Sequence, residues 1–118
     1  MPSLSISDRD KAYINDILAM SEKLSAMLKG VSGDAYADNE MLRLASERLI
    51  SIIGEASSRV SAETRNSMPS VPWREMSSTR NRLMHDYARV EDAVVYRIAT
   101  VSVPEMVDML RSELAKLS

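Results

Sequence analysis

Apolar residues recur at spacings of three and four along most of the chain, which is the period of an amphipathic helix. The first stripe begins after Ser7, with Asp10 placed as a capping-box partner, and ends at Gly30 and Gly33. The second stripe consists of Leu42, Ala45, Leu49, Ile52, Ile53, Ala56 and Val60. The pattern therefore predicts two helices that are joined by a short polar loop.

A segment rich in helix breakers, residues 66–72, separates these helices from the second half of the chain and is predicted to be a loop. A third helix is predicted to begin near Pro72, because proline suits a first helical turn. Its apolar positions are Trp73, Met76, Leu83 and Tyr87. This third helix also carries the most unusual polar residues of the sequence.

A fourth helix is predicted from about Glu91 to the C-terminal region, with a kink or a restart at Pro104. Proline lacks the backbone N–H that continues a helix, and Ser102 and Glu105 have the spacing of a capping box for a restart. As a whole, the pattern predicts an all-α fold, a four- to five-helix antiparallel bundle that forms one domain over residues 1–118.

Composition narrows the range of functions. The 118 residues include no cysteine and one histidine, which excludes a thiolate metal site and disfavours zinc binding by a single chain. No apolar run approaches the roughly 20 residues that span a bilayer, so a cytoplasmic protein without membrane contact is expected. The net charge is −2, yet residues 59–89 hold six arginines against three acidic residues. This local excess of positive charge is compatible with binding of a phosphate or a nucleic acid, and equally with a solvent-exposed face that binds nothing.

The stripe of the third helix is interrupted at position 80, where an arginine stands between Met76 and Leu83. A guanidinium on a bundle-facing position must be paired or face a cavity, because burying an unpaired charge is costly. Arg80 is therefore either a structural cation, with Glu55 as one candidate partner, or a group that binds an anion. The only histidine, His85, follows five residues later, and Asn81 is one turn before it on the same face.

Several stretches together resemble one protein family. "RNRLMHDY", from Arg80 to Tyr87, fits the Arg-x4-His-x-Tyr motif of the HEPN superfamily, in the HepT-like branch found in toxin–antitoxin pairs. "ERLISIIGEAS" (residues 47–57), "PSVPWREMSSTRNRLMHDY" (69–87) and "VSVPEMVDML" (101–110) are similar to other segments of that branch. The resemblance extends from about residue 9 to residue 114.

The resemblance implies an all-helical, dimeric ribonuclease that uses no metal and no cofactor. Arg80 would bind the phosphate oxygens of RNA, and His85 would act as acid or base near neutral pH. Asn81 would orient the phosphate or the imidazole. Because one histidine cannot readily be both acid and base, a homodimer that supplies His85 twice is expected, with a 2′,3′-cyclic phosphate as product.

The resemblance also implies a partner, a minimal nucleotidyltransferase antitoxin that adds AMP to Tyr87 and forms a larger assembly with the dimer. An alternative stays open, in which the chain is a non-catalytic binding module or substrate-presenting partner of that enzyme. The presence of Arg80, His85 and Tyr87 favours the ribonuclease, because an adaptor has less need of an imidazole. A structural bundle without a site is a weaker third possibility.

Overall fold

A computed structural model describes residues 6–85 and 92–117, without the side chains of residues 80–85. The helices are α1 (Asp8–Leu28), α2 (Gly33–Ala37), α3 (Glu40–Arg59), α4 (Ala62–Ser67), α5 (Trp73–His85), α6 (Asp92–Arg97) and α7 (Val103–Leu117), with a π-helical turn, Ile98–Ser102, between α6 and α7. The predicted all-α bundle is confirmed.

Contacts between the ends of the helices show that the bundle is antiparallel. The start of α1 meets the end of α3, where the backbone N–H of Ser61 donates to Asp10 at 3.0 Å. The other end of α1 meets α6, where the hydroxyl of Tyr96 donates to the carbonyl of Val31 at 2.6 Å. The largest side chains that are fully buried in the core include Ile17, Leu24, Tyr36, Ile50, Ile53, Met68, Met76 and Leu110.

The first helix starts as predicted, although one part of its cap differs. The hydroxyl of Ser7 accepts a hydrogen bond from the backbone N–H of Asp10 at 3.1 Å, which is an N-cap. The carboxylate of Asp10 is buried and accepts hydrogen bonds from Ser61 and Thr64. Asp10 therefore joins α1 to the start of α4 and does not act as a local capping-box partner.

Two short helices were not predicted. Gly33, predicted to end the first helix, begins α2, and α4 lies mostly before the segment that was predicted to be a loop and overlaps only its first two residues. Each is capped by a serine, with Ser32 accepting from the N–H of Ala35 and Ser61 from that of Thr64. Helices of five and six residues are too short to show a hydrophobic period. Gly30, with a φ of 74°, has the left-handed conformation that suits a helix end.

The C-terminal helix accommodates its proline without a restart at Pro104. The N–H of Val103 donates to the carbonyl of Ile98, five residues back, and Val103 itself has helical angles. A capping box from Ser102 to Glu105 would need an extended backbone at Ser102, which instead lies in the π-helical turn. This turn adds one residue to the helical repeat. Val101, which continues the helical spacing of the apolar Val94 and Ile98 in the sequence, is accordingly 37% exposed.

Candidate functional site

Helix α5 carries three of the predicted site residues, Arg80, Asn81 and His85, on its last two turns. Its first turn is fixed by burial of Trp73 and Met76, which are 6% and 1% exposed. The indole N–H of Trp73 donates to the carbonyl of Met68 at 3.2 Å, so the polar group of the buried ring has a hydrogen-bond partner. These anchors, together with packing along α3, set the direction in which α5 presents its C-terminal turns.

The polar run directly before Arg80 serves the helix itself. The hydroxyls of Ser77, Ser78 and Thr79 each donate to the carbonyl four residues earlier, at 3.1, 2.8 and 2.9 Å. Such bonds satisfy Ser and Thr side chains within a helix. These three hydroxyls therefore donate to the backbone of their own helix.

An ion pair fixes the helices at the end of the bundle where the motif lies. Helix α5 packs along α3 and runs antiparallel to it, so its C-terminal turns point towards the half of α3 that includes Arg43. There the guanidinium of Arg43 lies 3.5 Å from the carboxylate of Asp92, the first residue of α6. Arg43 also donates to the carbonyl of Ala37 in α2. One arginine therefore connects α2, α3 and the helix that follows the motif.

A buried polar network lies beside this ion pair. The hydroxyl of Tyr36, which is fully buried, lies 2.5 Å from that of Ser46, and Ser46 donates to the carbonyl of Arg43 at 3.0 Å. Burial raises the pKa of Tyr36, against the effect of the Ser46 hydrogen bond, so its phenol stays neutral. Burial and the nearby charge of Asp92 raise the pKa of Glu47, and Arg43 opposes this increase.

The structure brings some predicted site residues together and leaves others untested. Arg80, Asn81 and His85 share one continuous helix, which keeps positions 81 and 85 one turn apart. Tyr87 lies outside the described residues, as do the side chains of the other three, so their catalytic roles stay predictions.

The predicted supporting residue Glu55 lies elsewhere on α3. Its carboxylate, 45% exposed, lies 3.2 Å from the guanidinium of Arg59 on the same helix. It also borders a small groove beside Tyr13 and Asp16 of α1. These contacts provide no link to α5, and a pairing of Glu55 with Arg80 stays a prediction.

The sequence pattern does not single out the residues that support this end of the bundle. Arg43 and Asp92 are 49 positions apart, and a hydrophobic period carries no information about a polar contact of that range. Glu47 stands inside one of the family-like stretches, but no local motif marks it as partly buried. Only the folded arrangement of α2, α3 and α6 reveals the cluster.

Among the described residues, no helix is long and apolar enough to cross a membrane.

Comparison with known proteins identifies one family that matches most of the chain. A family model described as "Ribonuclease HepT-like" matches residues 17–113, which include the whole of α5. No solved structure matches the chain.

Curated relatives agree with this match. A protein of Methanocaldococcus jannaschii named a "Putative RNase" is 34% identical over 102 residues, covering 86% of this chain and 94% of its own. One of Caldanaerobacter subterraneus with the same designation is 29% identical over 90% of this chain and 95% of its own. A protein of Thermococcus cleftensis named "Probable ribonuclease HepT" is 27% identical, covering 81% of this chain and 87% of its own.

Proposed function

Because the chain belongs to the HepT-like ribonuclease family, we propose that it is a metal-independent endoribonuclease acting through Arg80 and His85. The observation that carries this proposal is the continuous helix α5, which extends through His85. At 1.5 Å per residue, five residues separate the two positions by about 7.5 Å along the axis. Long side chains at that separation can reach one phosphate group.

The proposed reaction is attack of a ribose 2′-hydroxyl on the adjacent phosphorus. The new P–O2′ bond forms as the P–O5′ bond breaks, which leaves a 2′,3′-cyclic phosphate and a free 5′-hydroxyl. Arg80 stabilises the negative charge that develops on the phosphate oxygens. His85 transfers a proton, either from the 2′-hydroxyl or to the leaving 5′-oxygen. Asn81 orients the phosphate or the imidazole.

A second protomer completes this mechanism. The chain has one histidine, whereas the reaction removes one proton and delivers another. A two-fold homodimer with facing α5 helices supplies His85 from both chains, and two-fold symmetry is the commonest arrangement of soluble oligomers. The proposed active unit is therefore a homodimer.

The test is incubation of purified protein with total RNA in the presence of EDTA, beside His85→Ala purified in the same way. We expect the wild type to cut RNA and to leave 2′,3′-cyclic phosphate ends, with no cleavage by His85→Ala. EDTA makes metal independence part of the same assay, and the variant controls for contaminating nucleases. Equal cleavage by both proteins would refute the assignment of His85.

Regulation by a nucleotidyltransferase antitoxin completes the proposal. The phenol oxygen of Tyr87 attacks the α-phosphorus of ATP, pyrophosphate leaves, and the phenolic proton is lost to the partner or to solvent. The attached AMP brings negative charge beside the cation of the motif and competes with RNA. A cytoplasmic location, where RNA and ATP are both present, belongs to the same proposal.

A further inference from the structure

A second cationic feature lies at the opposite end of α5 from His85. A groove of about 510 Å³ borders the end of α4, the connection that follows and the first turn of α5. Its polar and aromatic lining consists of Arg65, Asn66, Trp73, Arg74 and Glu75. We refer to it as the arginine groove.

Arg65, one of the residues that line this groove, has an unsatisfied side-chain donor. Its Nε is buried and has no hydrogen-bond partner among the described residues. A buried donor without an acceptor is costly, more so on a charged group. Three other arginines among the described residues form ion pairs, Arg43 with Asp92, Arg59 with Glu55 and Arg111 with Glu22. Arg65 differs from these three in holding a buried side-chain donor that no described residue accepts from.

The charges of the residues that line the groove favour an anionic ligand. Arg74 is exposed and, like Arg65, makes no ion pair with any described residue. Glu75 is the one carboxylate among the described lining residues, and it pairs with neither arginine. The first turn of a helix adds partial positive charge to the same place. Two unpaired guanidinium groups in a groove suit the oxygen atoms of a phosphate.

We propose that the arginine groove is a subsite for a backbone phosphate of the RNA substrate, distant from the phosphate that is cleaved. Arg74 and His85 are 11 residues apart on α5, or about 16 Å along its axis. A stacked strand rises about 3.4 Å per nucleotide, so about five nucleotides extend over that distance. Contacts to the backbone position a strand without reading its sequence. The subsite rests on the proposed ribonuclease function, whose substrate it holds.

Binding of a labelled single-stranded RNA, long enough to reach both ends of α5, tests the subsite as a function of salt. His85→Ala is the parent, because it keeps the RNA intact during the measurement. Arg65→Gln and Arg74→Gln are added to it singly and together. The matched control is Lys23→Gln, which removes one positive charge from an exposed position of α1.

Each phosphate contact to a single strand contributes about 0.7 to the slope of the logarithm of affinity against the logarithm of salt. We therefore expect the double variant to bind RNA severalfold more weakly and to lose about 1.4 from that slope. Arg74→Gln, at an exposed position that tolerates substitution, should lose about 0.7 on its own. The control should keep the affinity and the slope of the parent.

The possible results of this experiment distinguish a failure of the proposed subsite from a failure of the proposed ribonuclease function. Unchanged affinity and slope in Arg74→Gln and in the double variant, with RNA cleavage by the wild type, would overturn the subsite and leave the proposed function intact. A reduced slope without any cleavage by the wild type would support the subsite and overturn the proposed catalysis. An equal loss in the Lys23→Gln control would show a general charge effect and overturn the subsite.

Discussion

Asp10 and Ser61 are hydrogen-bonded twice, although they are 51 positions apart in the sequence. The backbone N–H of Ser61 donates to one carboxylate oxygen of Asp10 at 3.0 Å, and its hydroxyl donates to the other at 2.6 Å. Thr64 adds a third bond at 2.6 Å. Ser61 is the N-cap of α4, so one carboxylate in α1 fixes the turn through which the chain passes from α3 towards α5.

Replacement of this carboxylate should lower the stability of the bundle. Burial raises the pKa of Asp10, but the bonds from Ser61 and Thr64 more than offset this and hold it below the usual 3.8. A carboxyl with a lowered pKa stabilises the fold above the unfolded value and loses that effect as the pH falls through the folded value. We expect Asp10→Asn to lose about 1.5–3 kcal/mol at pH 7, with a smaller difference from the wild type below pH ~4.

Urea unfolding, followed by circular dichroism at several pH values, measures this difference. Asp8→Asn is the matched control, because Asp8 is exposed and lies in the same first turn of α1. It loses the same charge near the helix N-terminus but no buried hydrogen bonds. A loss of stability in Asp8→Asn as large as in Asp10→Asn would attribute the effect to the helix dipole and contradict this prediction.

The contribution of Glu47 to the stability of the fold should depend on pH in the opposite direction. Burial, reinforced by Asp92, raises its pKa above the usual 4.5. Its ionisation therefore destabilises the fold as the pH rises past 4.5, and the effect is complete once the pH exceeds the raised pKa of the folded state. We expect Glu47→Gln to unfold at a higher temperature than the wild type at pH 7 and at nearly the same temperature below pH 4.5. Asp16→Asn, on the exposed face of α1, should not reproduce this pattern.

The sequence predicts two kinds of feature in this fold. They are the long helices, which show a hydrophobic period, and the helix ends that are determined by neighbouring residues. The N-cap at Ser7, the end of the first helix near Gly30 and the start of α5 next to Pro72 follow from adjacent residues, and the structure confirms them. The one-turn helices α2 and α4 escape the pattern because they are shorter than the window that shows a period. The effect of Pro104 on its helix depends on the turn that precedes it. Here a π-helical turn, Ile98–Ser102, precedes the proline, and the helix continues without a new N-cap.

The residues of the candidate site also differ in whether the sequence alone predicts them. The motif on α5 is continuous in sequence, so its residues are recognisable before the fold is known. The contact between Arg43 and Asp92 and the unsatisfied Nε of Arg65 depend on helices that meet only after folding. No spacing rule relates positions on different helices, which is why the sequence predicts the motif and not the residues around it.

Sharing of the active site between protomers is testable by mixing. Arg80→Ala and His85→Ala should each abolish RNA cleavage while the helical circular-dichroism signal stays near that of the wild type. If one protomer supplies the cation and its partner the imidazole, mixed dimers should recover part of the wild-type rate. Light scattering at the assay concentration gives the oligomeric state, and a fully active monomer would contradict the shared site.

The final prediction concerns Tyr87, two residues beyond the end of α5. Tyr87→Phe keeps the ring but removes the oxygen that would accept AMP, so the variant should resist neutralisation by the partner enzyme. Incubation with the partner and ATP, followed by intact-mass spectrometry, should show steps of one AMP on the wild type and none on Tyr87→Phe. Tyr13→Phe, on α1, is the control and should be modified like the wild type. Mass steps that persist on Tyr87→Phe, or that never appear with an active partner, would refute Tyr87 as the acceptor.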